Sequence, residues 1–293
     1  MIRLPASAIR RAVRQGLEED LGQGDITTSA LFQDAIPSRA TIIAQQPLIM
    51  AGMAAAVQTF LAVDASLKLS VTCVDGQRAD RGESLLHIEG DGRSILMAER
   101  VALNFLQHLS GIATLTQRFC QAVRAYPVAI FDTRKTLPGW RAIQKWAVAL
   151  GGGVNHRFSL GDGILIKDNH LALLNNPKTA VRKACRLANA KTSEELLTIV
   201  EVESLAQVKQ ALASQVDIIL LDNMTPPLVK KAVTLINGRA FVEVSGGITL
   251  RNVRAMAAAG PDRISIGALT HSAPAAAMSL ELAPITRGRR RRP

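Results

Sequence analysis

The sequence predicts an α/β protein whose larger part is a closed or nearly closed (β/α) barrel. Between residues 128 and 269, six apolar strand-like runs each end in a polar or glycine signature, and helical patterns such as SLAQVKQALAS separate them. Repeated βα units with continuous apolar strands are typical of a parallel sheet with its helices outside. Six such units favour a barrel over an open doubly wound sheet. The doubly wound sheet is the alternative, although no GxGxxG motif follows the first strand.

The spacing of the strand ends supports the barrel. The intervals between successive ends are 35, 34, 21, 23 and 22 residues, counted from Asp132 through Lys167, Glu201, Asp222, Ser245 and Gly267. Because the carboxyl ends of barrel strands lie on one face, where such proteins build their sites, these residues are expected to lie close together.

The first hundred or so residues have a different pattern, which predicts a separate α/β domain. Apolar residues at Ile9, Val13, Leu17 and Leu21 recur every four positions and predict a helix that lies on a core. SRATIIAQ and LKLSVTCV predict strands, with a helix between them after Gly52.

A helical pattern then leads towards the barrel. Ser94 is predicted to cap a helix that ends at about Leu109, because Ser110 and Gly111 interrupt the pattern. A second helix is predicted to continue to about Tyr126.

Composition and charge exclude several classes of protein. The chain has 293 residues, 48% of them hydrophobic and 20% charged, which is typical of a globular protein with a large core. No continuous apolar segment predicts a secretory signal or a membrane span. The three cysteines are widely separated, so neither a zinc site nor a disulfide framework is predicted, and a reduced cytoplasmic protein is expected.

Nearly half of the net charge of +11 lies at the chain end, and +6 remains on the rest of the chain. Five arginines lie in the tail RGRRRRP, which is expected to be solvated and disordered. A basic nucleic-acid-binding scaffold that uses this tail is an alternative of a different class. It is disfavoured because the chain has only ten aromatic residues, which do not alternate with basic ones as in a stacking platform.

Cations follow the early predicted strands. Arg134 and Lys135 come after VAIFD, His156 and Arg157 after a glycine triplet, and Lys167 at the end of GILIK. Arginine offers forked donors and lysine a point charge to carboxylate and phosphate oxygens. The sequence therefore predicts a site for a substrate with several negative charges.

Carboxylates and glycines follow the later strands. Glu201 and Asp222 end neighbouring strands, where they are suited to hold a divalent cation, bind sugar hydroxyls or stabilise positive charge on a sugar carbon. A structural salt bridge to Lys167 or Arg134 is the alternative, and Glu203 is a possible supporting carboxylate. The segments SGG and GAL predict a phosphate cradle made of Ser245, Gly246, Gly247, Gly267 and Ala268.

Several blocks in this order resemble one enzyme family. EDLGQGDITT, ERVALNFLQHLSGIATLT, DTRKTLPGWR, GGGVNHRFSLGDGILIKDNH, EVE, LLDN, EVSGGI and ISIGALTHS are similar to segments of the quinolinate phosphoribosyltransferases, also called nicotinate-nucleotide pyrophosphorylases (carboxylating). The similarity extends from about residue 9 to residue 282 and ends before the basic tail.

The resemblance implies a fold and a domain organisation. It implies an incomplete (β/α) barrel over residues 112–270 and an α/β N-terminal domain over residues 1–111, completed by about residues 271–283. Residues 284–293 form the tail. Family members form homodimers with shared active sites, some of which assemble into hexamers.

The resemblance also implies a reaction. Quinolinate and phosphoribosyl pyrophosphate would give nicotinate mononucleotide, pyrophosphate and carbon dioxide, with Mg²⁺ as cofactor. This is a transferase step of NAD and pyridine nucleotide biosynthesis.

Residue roles are carried over by motif position. Arg134, His156, Arg157 and Lys167 would bind the carboxylates, with Arg100 from the neighbouring subunit. Lys135 would bind pyrophosphate together with Arg141, while Glu201 and Asp222 would face the ribose and Mg²⁺. The 5′-phosphate would lie on Ser245, Gly246, Gly247, Gly267 and Ala268.

The chain departs from the family's pattern at four positions near these motifs, namely Leu137, Trp140, Gln144 and Trp146. None of them removes a charged site residue, but Leu137 loses a hydroxyl near the predicted cradle. A related barrel branch associated with molybdenum transport is the nearest alternative. It is disfavoured by Asn155 before His156 and by the intact KDNH after the second strand. Nicotinate phosphoribosyltransferase is disfavoured because the cations match two carboxylates.

Overall fold

The computed structural model describes residues 6–174, 179–190 and 196–285. The arginines of the predicted tail lie outside the described residues. In chain order the elements are α1 (Ala6–Leu21), α2 (Ile26–Leu31), β1 (Pro37–Ala44), β2 (Leu48–Ile49), α3 (Met53–Val63), β3 (Lys68–Val71), β4 (Arg78–Ala79), β5 (Ser84–Asp91), α4 (Gly92–Val123), β6 (Ala129–Phe131), α5 (Arg141–Leu150), β7 (Ile164–Ile166), α6 (Asp168–Ala172), α7 (Ala180–Asn189), β8 (Thr198–Val202), α8 (Leu205–Leu212), β9 (Ile218–Asp222), α9 (Pro226–Ile236), β10 (Phe241–Ser245), α10 (Val253–Ala258), β11 (Arg263–Ser265), α11 (Ala268–His271) and β12 (Met278–Pro284).

The chain divides into two compact units. Among the described residues, the first contains residues 6–115, 137–151 and 273–285, and the second contains residues 116–136, 152–174, 179–190 and 196–272. None of the helices in the described segments is both long and apolar enough to cross a membrane.

The first unit is built on an antiparallel sheet with the order β12-β1-β5-β3. The alternation of buried and exposed residues along β1 presents one apolar face to the core. Ile42, Phe60, Leu86 and Leu106 are among the fully buried side chains of that core. The chain end returns to this unit, because β12 pairs with β1 along its whole length.

The second unit contains a six-stranded sheet with the order β6-β11-β10-β9-β8-β7. All of its pairs are parallel, and the first strand of the series pairs with the last, as in a barrel. No ladder joins β6 to β7 among the described residues, and a single bridge between Phe131 and Val154 extends β6 on that side. The prediction of an incomplete (β/α) barrel is therefore confirmed, and the open doubly wound order is not found.

The predicted break at Ser110 and Gly111 is wrong. Helix α4 runs without interruption for 32 residues. The Ser110 hydroxyl is buried, where it accepts from the Ala51 amide at 3.0 Å and donates to the Ala51 carbonyl at 3.1 Å. A Cβ on Gly111 would lie only 2.1 Å from the Pro274 carbonyl oxygen. This glycine therefore allows the Pro274 main chain to pack closely against α4.

Helix α5 packs within the first unit, although the predicted barrel domain, residues 112–270, includes it. Residues 137–151, including α5, group with the first unit and not with the barrel. The fully buried Gln144 of α5 accepts from the Leu137 amide at 2.9 Å, and its amide nitrogen lies 2.8 Å from His108 Nε2. Trp140 stacks on Phe105 with ring centroids 4.9 Å apart. These contacts tie the segment to the middle of α4.

Candidate active site

A cavity of about 600 Å³ opens at the carboxyl ends of the barrel strands. Its lining belongs entirely to the second unit. The lining residues are Thr133, Arg134, Lys135, His156, Arg157, Leu165, Lys167, Glu201, Leu220, Asp222, Asn223, Glu243, Ser245, Gly246, Gly247, Ile248, Ser265, Ile266, Gly267, Ala268 and His271. A volume of this size is sufficient for a small-molecule ligand.

Two arginines supply positive charge on one side of the cavity. Arg157 donates from Nη1 to the Gly163 carbonyl oxygen at 3.0 Å, which directs its guanidinium. Burial lowers the pKa of Arg157, and the nearby positive charge of Arg134 lowers it further. Since arginine stays protonated across the physiological range, the two charges repel each other, and an anion bound between them would relieve that repulsion.

Lys135 lies close to the turn that follows β11. The Thr270 hydroxyl donates to the Lys135 carbonyl at 2.7 Å, and the Lys135 amide donates to Thr133 Oγ1 at 3.0 Å. A Cβ on Gly267 would lie 2.8 Å from Lys135 Cδ. The missing side chain of Gly267 therefore leaves the space that the lysine stem occupies.

Lys167 and Glu201 form an ion pair at the ends of neighbouring strands. Lys167 Nζ donates to Glu201 Oε2 at 2.6 Å. The Lys167 side chain is 44% exposed while that of Glu201 is only 10% exposed. The salt bridge that the sequence offered as an alternative is thus present. It does not exclude a role in binding, because the ammonium also faces the cavity.

Asp222 is held by two donors. The Ser245 hydroxyl donates to Asp222 Oδ1 at 2.7 Å, and the side-chain Nδ2 of Asn223 donates to Asp222 Oδ2 at 2.7 Å. Gly246 follows Ser245 with φ of +86°, and a Cβ there would lie 2.8 Å from the Asn223 main-chain nitrogen. Only glycine therefore fits this turn without movement of the neighbouring strand end.

His156 lies over a buried carboxylate. Its Nδ1 accepts from the Arg157 amide at 2.8 Å, and its Nε2 lies 3.3 Å from Glu243 Oε1. Glu243 is fully buried in the middle of β10, where the Ser265 hydroxyl also donates to Oε1. Both ring nitrogens of His156 are thus engaged, so a direct bond to a ligand requires one of these contacts to be exchanged.

Twelve of the predicted site residues line this one cavity, and Arg100 and Arg141 do not. Arg100 is an exposed residue of α4, and Arg141 begins α5; both belong to the first unit. Glu203 is exposed outside the cavity lining, and its amide donates to Gln207 Oε1.

Sequence reasoning missed Glu243, Asn223, Thr133, Ser265 and His271 as lining residues. A signal for Glu243 was available. It lies two residues before Ser245 on β10, and residues two apart on a strand share a face.

The donors present do not form a metal cage by themselves. In the described part of the chain, no group of three or more His, Cys, Asp or Glu side chains is arranged to hold a metal ion. Glu201 and Asp222 nevertheless offer carboxylate oxygens to the cavity. One or two carboxylates together with substrate phosphates are the usual ligand set of Mg²⁺.

Family models match most of the chain. The model for the N-terminal domain of quinolinate phosphoribosyl transferase matches residues 25–110, and that for the C-terminal domain matches residues 112–281. A probable nicotinate-nucleotide pyrophosphorylase (carboxylating) of Methanocaldococcus jannaschii is 39% identical, covering 93% of this chain and 96% of the relative. A mitochondrial quinolinate phosphoribosyltransferase (decarboxylating) of Nicotiana tabacum is also 39% identical, covering 95% of this chain and 83% of the relative.

A solved structure is also similar to most of this chain. NadC from Streptococcus pyogenes superimposes with a TM-score of 0.90 at 38% identity, covering 98% of this chain and 100% of that structure.

Proposed function

This chain belongs to the quinolinate phosphoribosyltransferase family, and we propose that it transfers the phosphoribosyl group of phosphoribosyl pyrophosphate to the ring nitrogen of quinolinate. The products are nicotinate mononucleotide, pyrophosphate and carbon dioxide, in a step of NAD biosynthesis. One observation carries the proposal: four cations, two strand-end carboxylates and two glycine turns line the same cavity. One substrate is a dicarboxylate and the other carries a phosphate and a pyrophosphate, so the pair requires such a concentration of positive charge.

The dicarboxylate is proposed to bind among Arg134, Arg157 and Lys167. Guanidinium groups bind carboxylates through paired donors, and the ammonium of Lys167 supplies a point charge beside them. His156 lines the same cavity, and its ring is proposed to contact the dicarboxylate while its Nε2–H stays on Glu243. These contacts would hold the ring so that its nitrogen faces the anomeric carbon of the second substrate.

The phosphoribosyl group is proposed to bind at the glycine turns. Backbone N–H groups of residues 245–247 and 267–268 would bind the 5′-phosphate, as turn amides commonly do for anions. Lys135, whose stem passes beside Gly267, would bind the pyrophosphate. Arg141 is proposed to assist it.

Bond changes follow from this arrangement. The bond between the anomeric carbon and pyrophosphate breaks with its electron pair on the leaving oxygen, and the ring nitrogen supplies the pair for the new bond. Glu201 and Asp222 would stabilise the positive charge that develops on the ribosyl carbon. The nitrogen is then cationic, so it stabilises the electron pair left on the adjacent carbon when carbon dioxide departs. A proton replaces the lost carboxylate.

Mg²⁺ is proposed to accompany the pyrophosphate. Glu201 and Asp222 would hold it together with phosphate oxygens and water, in keeping with the small number of carboxylates in the lining. When bound, the ion neutralises charge on the leaving pyrophosphate. Dialysis against a chelator is expected to abolish turnover, and added Mg²⁺ is expected to restore it.

Assembly and location are proposed from the family. We propose a homodimer, with hexamers as a further assembly, in which Arg100 of one subunit reaches the cavity of its partner. We propose a cytoplasmic location. A relative named as mitochondrial exists in Nicotiana tabacum, so location varies within the family.

The test is a product assay with two acceptors. Purified protein is incubated with phosphoribosyl pyrophosphate, Mg²⁺ and either quinolinate or nicotinate, and both the mononucleotide and released carbon dioxide are measured. We expect one carbon dioxide per mononucleotide from quinolinate and negligible product from nicotinate. Product from nicotinate alone, or none from either acceptor, would contradict the proposal.

A further inference from the structure

Glu243 is a buried charge that the proposed chemistry does not use. Its side chain has no exposed surface, although it lies in the wall of the cavity. Burying a carboxylate is costly unless hydrogen bonds or opposite charges compensate for the lost water. Within the described residues its Oε2 has no hydrogen-bond partner and lies 3.9 Å from Arg263 Nη1. A purely structural position would be filled more favourably by an apolar residue.

The other oxygen of Glu243 is directed at Ser265 and His156. Oε1 accepts from the Ser265 hydroxyl and lies 3.3 Å from His156 Nε2. The neutral imidazole carries one proton, and its Nδ1 accepts from the Arg157 amide at 2.8 Å. The proton must then be on Nε2, which faces Glu243. The carboxylate therefore selects the tautomer of His156 that can accept from the Arg157 main chain.

Asp132 also holds the turn at residues 155–157. This fully buried carboxylate accepts from the His156 amide at 2.8 Å and from Asn155 Nδ2 at 2.6 Å. The main chain at residues 155–157 is thus held between Asp132 and the His156 ring. Arg157 leaves that turn and enters the cavity.

We propose that Glu243 is a positioning residue for the dicarboxylate subsite. It orients the His156 ring, and through the ring it fixes the main chain from which Arg157 projects. The inference rests on the proposed function for its substrate. Loss of Glu243 should weaken binding of quinolinate but not of phosphoribosyl pyrophosphate, because the glycine turns of residues 245–247 and 267–268 do not depend on His156.

If Glu243 had only a structural role, that role would depend on its neighbour Arg263. Its guanidinium lies over the rings of Phe131 and Phe241, at 4.8 and 5.8 Å from their centroids, so it links β6, β10 and β11. Arg263→Gln would remove that clamp and the charge near Glu243 Oε2 but keep the contact between Glu243 and His156. It is the matched control, since it tests whether loosening these strands is enough to change substrate binding.

The experiment compares Glu243→Ala, Glu243→Gln and Arg263→Gln in steady-state kinetics with each substrate varied. A lost hydrogen bond to a charged group predicts that Glu243→Ala raises the KM for quinolinate by about 10- to 100-fold and the KM for phosphoribosyl pyrophosphate by less than about threefold. Glu243→Gln keeps an acceptor for Nε2–H, so it should stay within about tenfold of the wild type. Arg263→Gln should lower the melting temperature with little change in either KM. Equal rises in both KM values, or the Glu243→Ala pattern in Arg263→Gln, would overturn the proposal.

A second measurement does not depend on turnover or on the alanine variant folding. The wild type is labelled with nitrogen-15 histidine, and the His156 signals are assigned as those that disappear in His156→Gln. We expect these signals to show a protonated Nε2 and an unprotonated Nδ1. The opposite tautomer would overturn the positioning role even in an active enzyme. An inactive wild type with the expected tautomer would instead reject the proposed function and leave the contact between Glu243 and His156 intact.

Discussion

Replacing Lys167 by Met tests the electrostatic basis of the site. The change keeps the apolar stem and removes the ammonium that lies 2.6 Å from Glu201. With neutral histidines, the formal charge of the cavity lining falls from +1 to zero. Two unit charges 4 Å apart interact by about 1 kcal/mol in water and about 4 kcal/mol at an effective dielectric constant of 20. The 44% exposure of Lys167 places its contact with a bound carboxylate between these limits.

The same change leaves Glu201 without its cation beside the incoming substrate. Its carboxylate is only 10% exposed, so its repulsion of quinolinate adds to the lost attraction. We expect a total effect of about 2–3 kcal/mol, which corresponds to roughly a 30- to 160-fold loss in kcat/KM for quinolinate. Stability should fall by about 1–3 kcal/mol, because the change leaves the largely buried Glu201 carboxylate without its hydrogen-bond donor.

The assay measures initial rates of mononucleotide formation with quinolinate varied at saturating phosphoribosyl pyrophosphate. Lys231→Met is the matched control, since Lys231 is an exposed residue of α9 outside the cavity lining. A Lys167→Met enzyme that is folded and stays within threefold of wild-type kcat/KM would refute the electrostatic reasoning.

Four further predictions concern stability and thiol chemistry. Gly246→Ala should lower the free energy of unfolding by about 3 kcal/mol or more, because φ is +86° and the new Cβ would meet the neighbouring strand end. Gly247→Ala should lower it by only about 1–2 kcal/mol, because φ is +61° and the space around the new Cβ is open. Urea titration of both variants measures the two losses, and equal losses would contradict the packing argument. Gly111→Ala should destabilise the first unit strongly, since its Cβ would lie 2.1 Å from a carbonyl oxygen, and an unchanged melting temperature would show that α4 tolerates a side chain there. Burial raises the pKa of the Cys120 and Cys185 thiols to about 11 from 9.0. Both thiols should therefore react slowly with Ellman's reagent in the folded protein at pH 8. Fast labelling of both would contradict their burial. The folded state binds the two thiol protons more tightly than the unfolded chain does. Their contribution to the free energy of unfolding is therefore complete below pH 9 and is lost between pH 9 and about 11. Urea titrations at pH 8 and 10.5 would detect this loss.

The order of strands and the location of the site could be predicted from the sequence. Parallel strands leave their carboxyl ends on one face, so regularly spaced runs that end in Arg134, Lys167, Glu201 or Asp222 imply one shared cavity. The periodicity of apolar residues needs no knowledge of tertiary contacts, which is why this part of the fold could be read directly from the sequence.

The errors occurred where tertiary contacts outweigh local preference. Ser110 and Gly111 are poor helix residues, but α4 passes through them because a buried hydroxyl finds partners and a backbone approaches closely. Glu243 lies in the apolar strand β10 and was not among the predicted site residues. Its role depends on His156, which comes from a loop 87 positions earlier in the sequence, and no local pattern predicts that pairing.

A crystal structure of the protein with quinolinate bound would test the central claim most directly, namely that cations gathered at the strand ends hold the dicarboxylate. We predict that both carboxylates lie within hydrogen-bond distance of Arg134, Arg157 or Lys167, with the ring nitrogen directed towards the glycine turns of residues 245–247 and 267–268. Quinolinate bound outside this cavity, or inside it without contact to any of the three cations, would contradict the account.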